Sequence, residues 1–440
     1  MASRSNTLFR TFFRARLRAR PRSALWYNPD FLKLWLGQTV SEFGSRITRD
    51  GLGLIAVIVL TVSPADLGVL TTVTSLPTLL FGLYAGVWVD RLPRRRLMIA
   101  SDVLRLLLLL TVPVLAVRGE LTFTWVCVVA AAMALLGWIF DLAYRALLPT
   151  VIEPSQLMDG NTKLATTEAL AEIGGPAVAG ALVQIFTAPL ALLFDALTFL
   201  VSIISLSSIR TPEPRRQPSA DEPANAPSLR RELTEGIVVI WRHPVLRPLA
   251  ISLALRSFFG SFIGTLYGLY ALRELNMTPS QLGFVIACGG IGALAGAAVL
   301  RRLIHRVSLG SLLTGSLLVS GGINLLIPLA IIFSDAPQIA MLVLIIGQIV
   351  GDAAMTVYTV QEMTVRQSAV DERLLGRSNA SFGFLAECTP PLGGVAAGAL
   401  GMVFGTTITL LIAVLGILLT ALYTLRSPAR LAQAVPDDAS

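Results

Sequence analysis

Ile408-Thr-Leu-Leu-Ile-Ala-Val-Leu-Gly-Ile-Leu-Leu-Thr-Ala-Leu-Tyr423 carries no charge on any face. A helix that is apolar all round belongs in a large core or in a membrane. Leu104–Val117 reads almost the same way, with Arg105 its one charge. Runs of this kind recur along the 440 residues, each near the ~20 residues that carry a helix across a ~30 Å hydrocarbon layer. They can be drawn at roughly 31–62, 66–89, 97–117, 121–147, 161–187, 189–208, 246–272, 280–300, 309–333, 338–361, 377–402 and 405–425. That gives twelve spans. A transmembrane β-barrel would alternate apolar and polar positions over ~10 residues, which these runs do not do. Helices, which satisfy their own backbone hydrogen bonds, remain. Composition agrees, with 14% charged residues against about 25% in soluble domains and a mean hydropathy of +0.72.

The formal net charge of +8 could suit nucleic acid, but the positions of the charges argue otherwise. With the N-terminus in the cytoplasm, 28 of the 35 basic residues fall in the terminal segments and loops of one side. The other side holds only Arg118 and Arg273, while Lys33, Arg46, Arg49, Arg105 and Arg256 lie within spans. By the positive-inside rule both termini are expected in the cytoplasm of a bacterial inner membrane. Cys127, Cys288 and Cys388 each sit inside an apolar run without a partner in sequence, so no disulfide frame or CxxC metal site is expected. Thr7–Arg20 mixes Phe9, Phe12, Phe13 and Leu17 with arginines, the pattern of an amphipathic helix on an anionic leaflet. An organellar transit peptide is the alternative reading.

Pro212, Pro214, Pro218, Pro223 and Pro227 stand among Ser, Asp, Glu and Arg between residues 210 and 229, a composition that buries no core. The expected organisation is a basic segment 1–30, a six-helix half 31–208, a linker 209–235, a second six-helix half 236–426 and a tail 427–440. Leu233–His243 is expected as a surface helix ahead of Pro244. The halves echo each other. Tyr144 and Tyr358, Pro176 and Pro390, and Gly180 and Gly394 are 214 residues apart, while Gly86 and Gly296, and Arg91 and Arg301, are 210 apart. Such a repeat implies an all-α fold of two parallel halves with a site between them near the midplane.

After span two comes Gly86-Val-Trp-Val-Asp90-Arg91-Leu-Pro93-Arg94-Arg95-Arg96, which resembles the cytoplasmic signature of major facilitator transporters. Pro93 stands where that signature has a second glycine. Gly86 permits close helix approach, and Asp90 at a helix end can pair with loop arginines such as Arg91, Arg94 and Arg95, forming a latch on one gate state. Asp102, Arg105 and Asp141, near the same ends of their spans, are assigned to that latch. The alternative is that the arginines only set topology. Span five contains Gly174-Gly175-Pro176-Ala177-Val178-Ala179-Gly180, similar to the antiporter signature of the superfamily, and Pro390-Pro391-Leu392-Gly393-Gly394 repeats the theme in span eleven. Gly175, Pro176, Gly180, Pro390 and Gly394 read as hinge or packing positions.

Several strings resemble one branch, the enterobactin-exporter-like and macrolide-efflux-like facilitators. They are Asn28-Pro-Asp-Phe-Leu-Lys-Leu-Trp35, Ser101-Asp-Val-Leu-Arg105, Tyr144-Arg-Ala-Leu-Leu-Pro149, Phe194-Asp-Ala-Leu-Thr-Phe199 and Glu235-Gly-Ile with Trp241-Arg-His-Pro244. The resemblance implies secondary-active efflux of a siderophore or an amphipathic antibiotic in exchange for protons. Span four departs from many drug–proton antiporters, having Gly137 and Asp141 where those carry a mid-helix arginine.

Ionisable residues inside a span are expensive and mark function. Glu42, counted at 1.5 Å per residue from Phe31, lies about 17 Å deep. It shares a face with Arg46, which in turn shares one with Asp50, while Arg49 lies in the outer half. A buried carboxylate there can exchange its proton for substrate, and the alternative is a static ion-pair ladder. Glu168 and Glu172 form a like-charged i,i+4 pair suited to coupling or to a cation. Arg256, Asp352 and Glu387 are the corresponding polar groups of the second half. His243 and His305 lack metal-ligand spacing, and no catalytic triad, metal motif or Walker loop occurs, so an enzyme, a cofactor, a metal site and direct ATP use are not expected. The expected partners are a small-molecule substrate, protons and the lipid bilayer, around a monomer. Uptake of a nutrient or lipid precursor, and a non-transporting sensor, are the rival readings.

Overall fold

A computed structural model describes residues 24–213, 229–370 and 372–428. The N-terminal amphipathic segment, most of the linker and most of the tail lie outside the described residues, as do the side chains of 81–91. The described chain is helical. In order, α1 is Pro29–Leu54, α2 Pro64–Arg91, α3 Arg94–Arg118, α4 Phe123–Val151, α5 Leu157–Phe186 and α6 Ala188–Ser207. Then follow α7 Leu229–Arg242, α8 Leu246–Leu269, α9 Pro279–Leu303, α10 Leu309–Ile323, α11 Leu326–Leu329, α12 Pro337–Ser368, α13 Glu372–Phe404 and α14 Thr406–Arg426. Among the described residues nine helical segments are long and apolar enough to cross a membrane. Three more long helices, α1, α2 and α13, lie in the same bundle. Lys33, Glu42, Arg46, Arg49 and Asp50 give α1 too many charges for a simple apolar span.

Local signals set many helix ends. Asn28 caps α1 through its side chain, which accepts from the backbone of Asp30 and Phe31. Thr278 and Gln281 close a reciprocal capping box on α9. Span nine of the sequence breaks at Asn324 into α10, α11 and a 3-10 turn, because Pro328 cannot donate to the ladder and crowds the carbonyl four residues back. The surface helix α7 starts four residues earlier than its apolar pattern suggested.

Helices α1–α6 pack among themselves, as do α7–α14. Gly37, Gly44 and Gly51, seven residues apart, line α1 where it meets α6, and a Cβ at each would strike Ser205, Asp195 with Thr198, or Leu192. The two groups meet through a pair of matching seams. Gly68 of α2 lies against Gly394 and Gly398 of α13, and Gly283 of α9 lies against Pro176 and Gly180 of α5. Gly68 and Gly283 are 215 residues apart, so the echo seen in sequence becomes a repeated contact. The repeat also includes two π-helical turns, Ile55–Val59 after α1 and Tyr270–Glu274 after α8, each followed by a residue in the left-handed region, Thr61 at φ 47° and Asn276 at φ 53°.

Candidate functional site

Both seams involve the first turns of α2 and α9 and the later turns of α5 and α13, so the groups close on one another at the face opposite the chain termini. Arg273, in the second π turn, reaches across and donates from Nη2 to the Val57 carbonyl in the first, at 3.0 Å. Thr71 and Thr265 join the helices by a hydroxyl contact of 2.9 Å. Behind this closure lies a cavity of about 370 Å³ walled by both groups, with Arg49, Asp50, Tyr267 and Gln348 among apolar side chains such as Leu67 and Ile286.

Several mid-helix charges stay exposed along the cleft that leads from this cavity towards the terminal face, where helices buried on all sides would hide them. Arg49, Asp141, Glu168, Glu172 and Glu387 are exposed, and Glu42, Arg46, Asp50, Arg256 and Asp352 are half-buried. The charges of Asp141, Glu168 and Arg46 act on Glu42, so α1, α4 and α5 present one electrostatic cluster. Gln38 Nε2 donates to Glu42 Oε1 at 3.1 Å. Arg46 does not pair with Glu42. Its Nη1 lies 3.3 Å from Glu172 Oε1, so α1 is tied to α5 through one member of the Glu168/Glu172 pair. Across the cleft Gln348 Nε2 holds Asp352 Oδ2 at 2.8 Å, and the charge of Glu172 acts on Asp352. Arg256 stands 5.7 Å over the Tyr358 ring. Glu387 makes no ion pair among the described residues.

The α2 backbone runs helically through Gly86, Asp90 and Arg91, whose side chains are outside the described set. Arg94 and Arg95 serve the start of the linker, because their backbone N–H groups donate to Glu213 at 2.8 and 2.7 Å. Arg94 Nη1 also reaches the Ala146 carbonyl at 2.7 Å, and Arg95 Nη1 the Ile209 carbonyl. Asp102 and Arg105 follow on the same helix. Both are buried inside the first group, 3.4 Å apart, with the guanidinium 5.4 and 5.2 Å from the Phe140 and Phe199 rings. The guanidinium also fills the space over Gly137 of α4, where any side chain would strike Arg105 Nη2.

The Major Facilitator Superfamily profile matches residues 34–385. The chain belongs to that superfamily. It is therefore a multi-pass membrane transporter rather than an enzyme. The facilitator is similar to the multidrug efflux pump Tap of Mycolicibacterium fortuitum, 29% identical over 79% of this chain and 84% of Tap. It is similar also to macrolide efflux protein A of Streptococcus pyogenes, 24% identical over 82% of this chain and 87% of the relative. In fold it is like a bacterial homologue of the iron transporter ferroportin. The TM-score is 0.72 for that protein's inward-facing state, at 17% identity over 90% of this chain and 98% of the other. For the outward-facing state the TM-score is 0.55.

Reading by residue type overlooked several buried groups. Asp195 is wholly buried in α6, although it lies within a span and the cost of intramembrane charge should have flagged it. Glu362, buried, and Arg366, half-buried and 3.5 Å from it, fell beyond the boundary drawn for span ten, which α12 overruns by seven residues. Tyr267 has a buried hydroxyl without a partner among the described residues and lines the cavity. No periodicity distinguishes it from core.

Proposed function

We propose that this facilitator exports a small amphipathic organic molecule, of the natural-product kind that includes siderophores and antibiotics, in exchange for protons. The observation that carries the reading is the convergence of Glu42, Asp141, Glu168 and Glu172 with Asp352 on one cleft between the two helix groups. Carboxylates gathered in one place inside a transporter are groups that can trade a proton for a substrate entering among them. The export direction rests on the two relatives, whose names describe efflux. The distribution of 28 basic residues supports placing the terminal face in the cytoplasm, across twelve spans of a bacterial inner membrane. In that orientation the cleft opens inward, the state that admits a cytoplasmic substrate. Glu42, Arg46, Arg49, Asp50, Glu168, Glu172, Arg256, Asp352 and Glu387 are the proposed coupling and binding set, and Gly86, Asp90 and Arg91 the proposed latch. Gly175, Pro176, Gly180, Pro390 and Gly394 are proposed to hinge the closure, in a monomer.

Purified protein in liposomes with an imposed pH gradient, assayed with ethidium as the probe, tests this. Ethidium should move against its own gradient, and a protonophore should stop it. Movement that persists with the protonophore would remove proton coupling, and no movement with any of a panel of amphipathic antibiotics would remove the export reading.

A further inference from the structure

Asp195 lies at the seam of α6 and α1 with no exposed surface. Thr48 Oγ1 of α1 donates to its Oδ2. Thr198 Oγ1 lies 2.8 Å from Asp195 Oδ1 and 2.8 Å from the Asp195 main-chain oxygen. A hydroxyl has one proton to give. Thr198 Oγ1 is within donating distance of both oxygens. Where it gives its one proton to the main-chain carbonyl, the local bond such residues habitually make in helices, its lone pair is left facing Oδ1, and that approach is favourable with a hydrogen on Oδ1. Only a protonated carboxyl has that hydrogen. Gly44 of α1 makes this approach possible, because any Cβ there would strike both Thr198 and Asp195.

The surrounding charges point the same way. From α3 the charges of Arg105 and Asp102 act on Asp195. Facing it from α1 are Thr48 and Gly44, neither charged, and no charged group of α5 acts on it among the described residues. Arg105 is already engaged by Asp102, which also has no exposed surface. One guanidinium against two fully buried carboxylates leaves a negative charge unmatched, and burial of an unmatched charge is relieved by taking up a proton. Arg105 Nε is buried with no partner among the described residues, so the guanidinium keeps a donor in reserve, while Asp102 also has the Ser202 hydroxyl beside it. The charge of Arg105 acts also on Asp141, which is exposed in the cleft.

We propose that Asp195 holds a proton in this conformation and is a buried proton site of the transport cycle. This rests on the proton-coupled reading above. When the α1–α6 seam rearranges, the O–H bond breaks heterolytically, the electron pair stays on Asp195, and the proton passes to the Asp141 carboxylate or to water in the cleft. Arg105 turns its spare donor to the carboxylate left behind. Thr48 is next in sequence to Arg49, a lining residue of the cavity, so rotation of α1 on substrate binding reaches the seam directly.

Infrared spectroscopy of the purified full chain at neutral pH reads the proton without a substrate. The wild type should show a carboxylic acid C=O stretch that Asp195→Asn removes and Glu42→Gln leaves in place. An unchanged carboxylic acid region in Asp195→Asn would overturn the proposal. If that variant does not accumulate, Thr198→Val replaces it. Loss of the hydroxyl should move the C=O stretch, and a stretch that stays put would overturn it equally. In liposomes with ethidium as the probe, Asp195→Asn should lose pH-gradient-driven accumulation while keeping downhill exchange. Full gradient-driven accumulation would overturn the role in transport. A wild type without any gradient-driven flux would instead sink the coupling reading, and the infrared band would still decide where the proton sits.

Discussion

Arg273 holds the closed face through one hydrogen bond to the Val57 carbonyl, which makes Arg273→Gln a direct test of how that face is kept shut. A hydrogen bond from a charged donor contributes roughly 1.5–3 kcal/mol net, and the arginine is otherwise exposed, so the lower end applies. About 1.4 kcal/mol is a factor of ten in an equilibrium, so the variant should raise the population open at this face about tenfold. Leu67, buried in the closed state and lining the cavity, is a suitable reporter. In a background with Cys127, Cys288 and Cys388 changed to Ser, a Leu67→Cys thiol would be labelled by a membrane-impermeant maleimide added on that side. The labelling rate should rise by the same factor of about ten, with little change in thermal stability, since the bond joins two groups that each remain folded. A rate within twofold of the parent would refute the argument that this contact biases the gate.

Gly283→Val should be the stronger perturbation, since its side chain would meet the Pro176 carbonyl and hold α5 and α9 apart. The same labelling assay should then report a face that no longer closes, with ethidium flux lost. Gly44→Ala should destabilise the α1–α6 seam by about 1–3 kcal/mol, the usual penalty of overpacking, seen as a lower melting temperature in detergent. Glu42→Gln should abolish gradient-driven ethidium efflux without loss of stability, because Arg46 takes its ion pair from Glu172 and is not left unpaired. Full flux in that variant would move coupling to Glu168 and Glu172. Arg46→Gln should cost less than about 1 kcal/mol of stability, as Glu172 is 67% exposed and solvent screens the pair. A melting temperature lowered by more than several degrees would show that the pair is structural.

Much of the architecture was legible in the chain itself. Ile408–Tyr423 and its counterparts announce membrane helices, because a bilayer demands ~20 apolar residues and internal hydrogen bonding. The pairs spaced by 214 residues anticipated a duplicated packing, and Gly180 and Gly394 do lie at matching seams. Glu42, Arg46 and Glu172 could be nominated because charge inside a span is expensive. The partners of those charges were not legible, since i,i+4 spacing describes one helix and the bonds that matter run between helices. Arg46 faces Glu42 along α1 yet pairs with Glu172 126 residues away. Asp102 and Arg105 were nominated by position along their span, which could not show that the rotation of α3 buries them with the guanidinium beside the Phe140 and Phe199 rings. Asp195 stood in plain view within an apolar string. Only the approach of α1, permitted by Gly44, showed that two hydroxyls and, among the described residues, no ion-paired cation meet it. Sequence periodicity determines which residues can share a face, whereas the rotation of each helix about its own axis decides which face meets which, and that is set by all the neighbours packing at once.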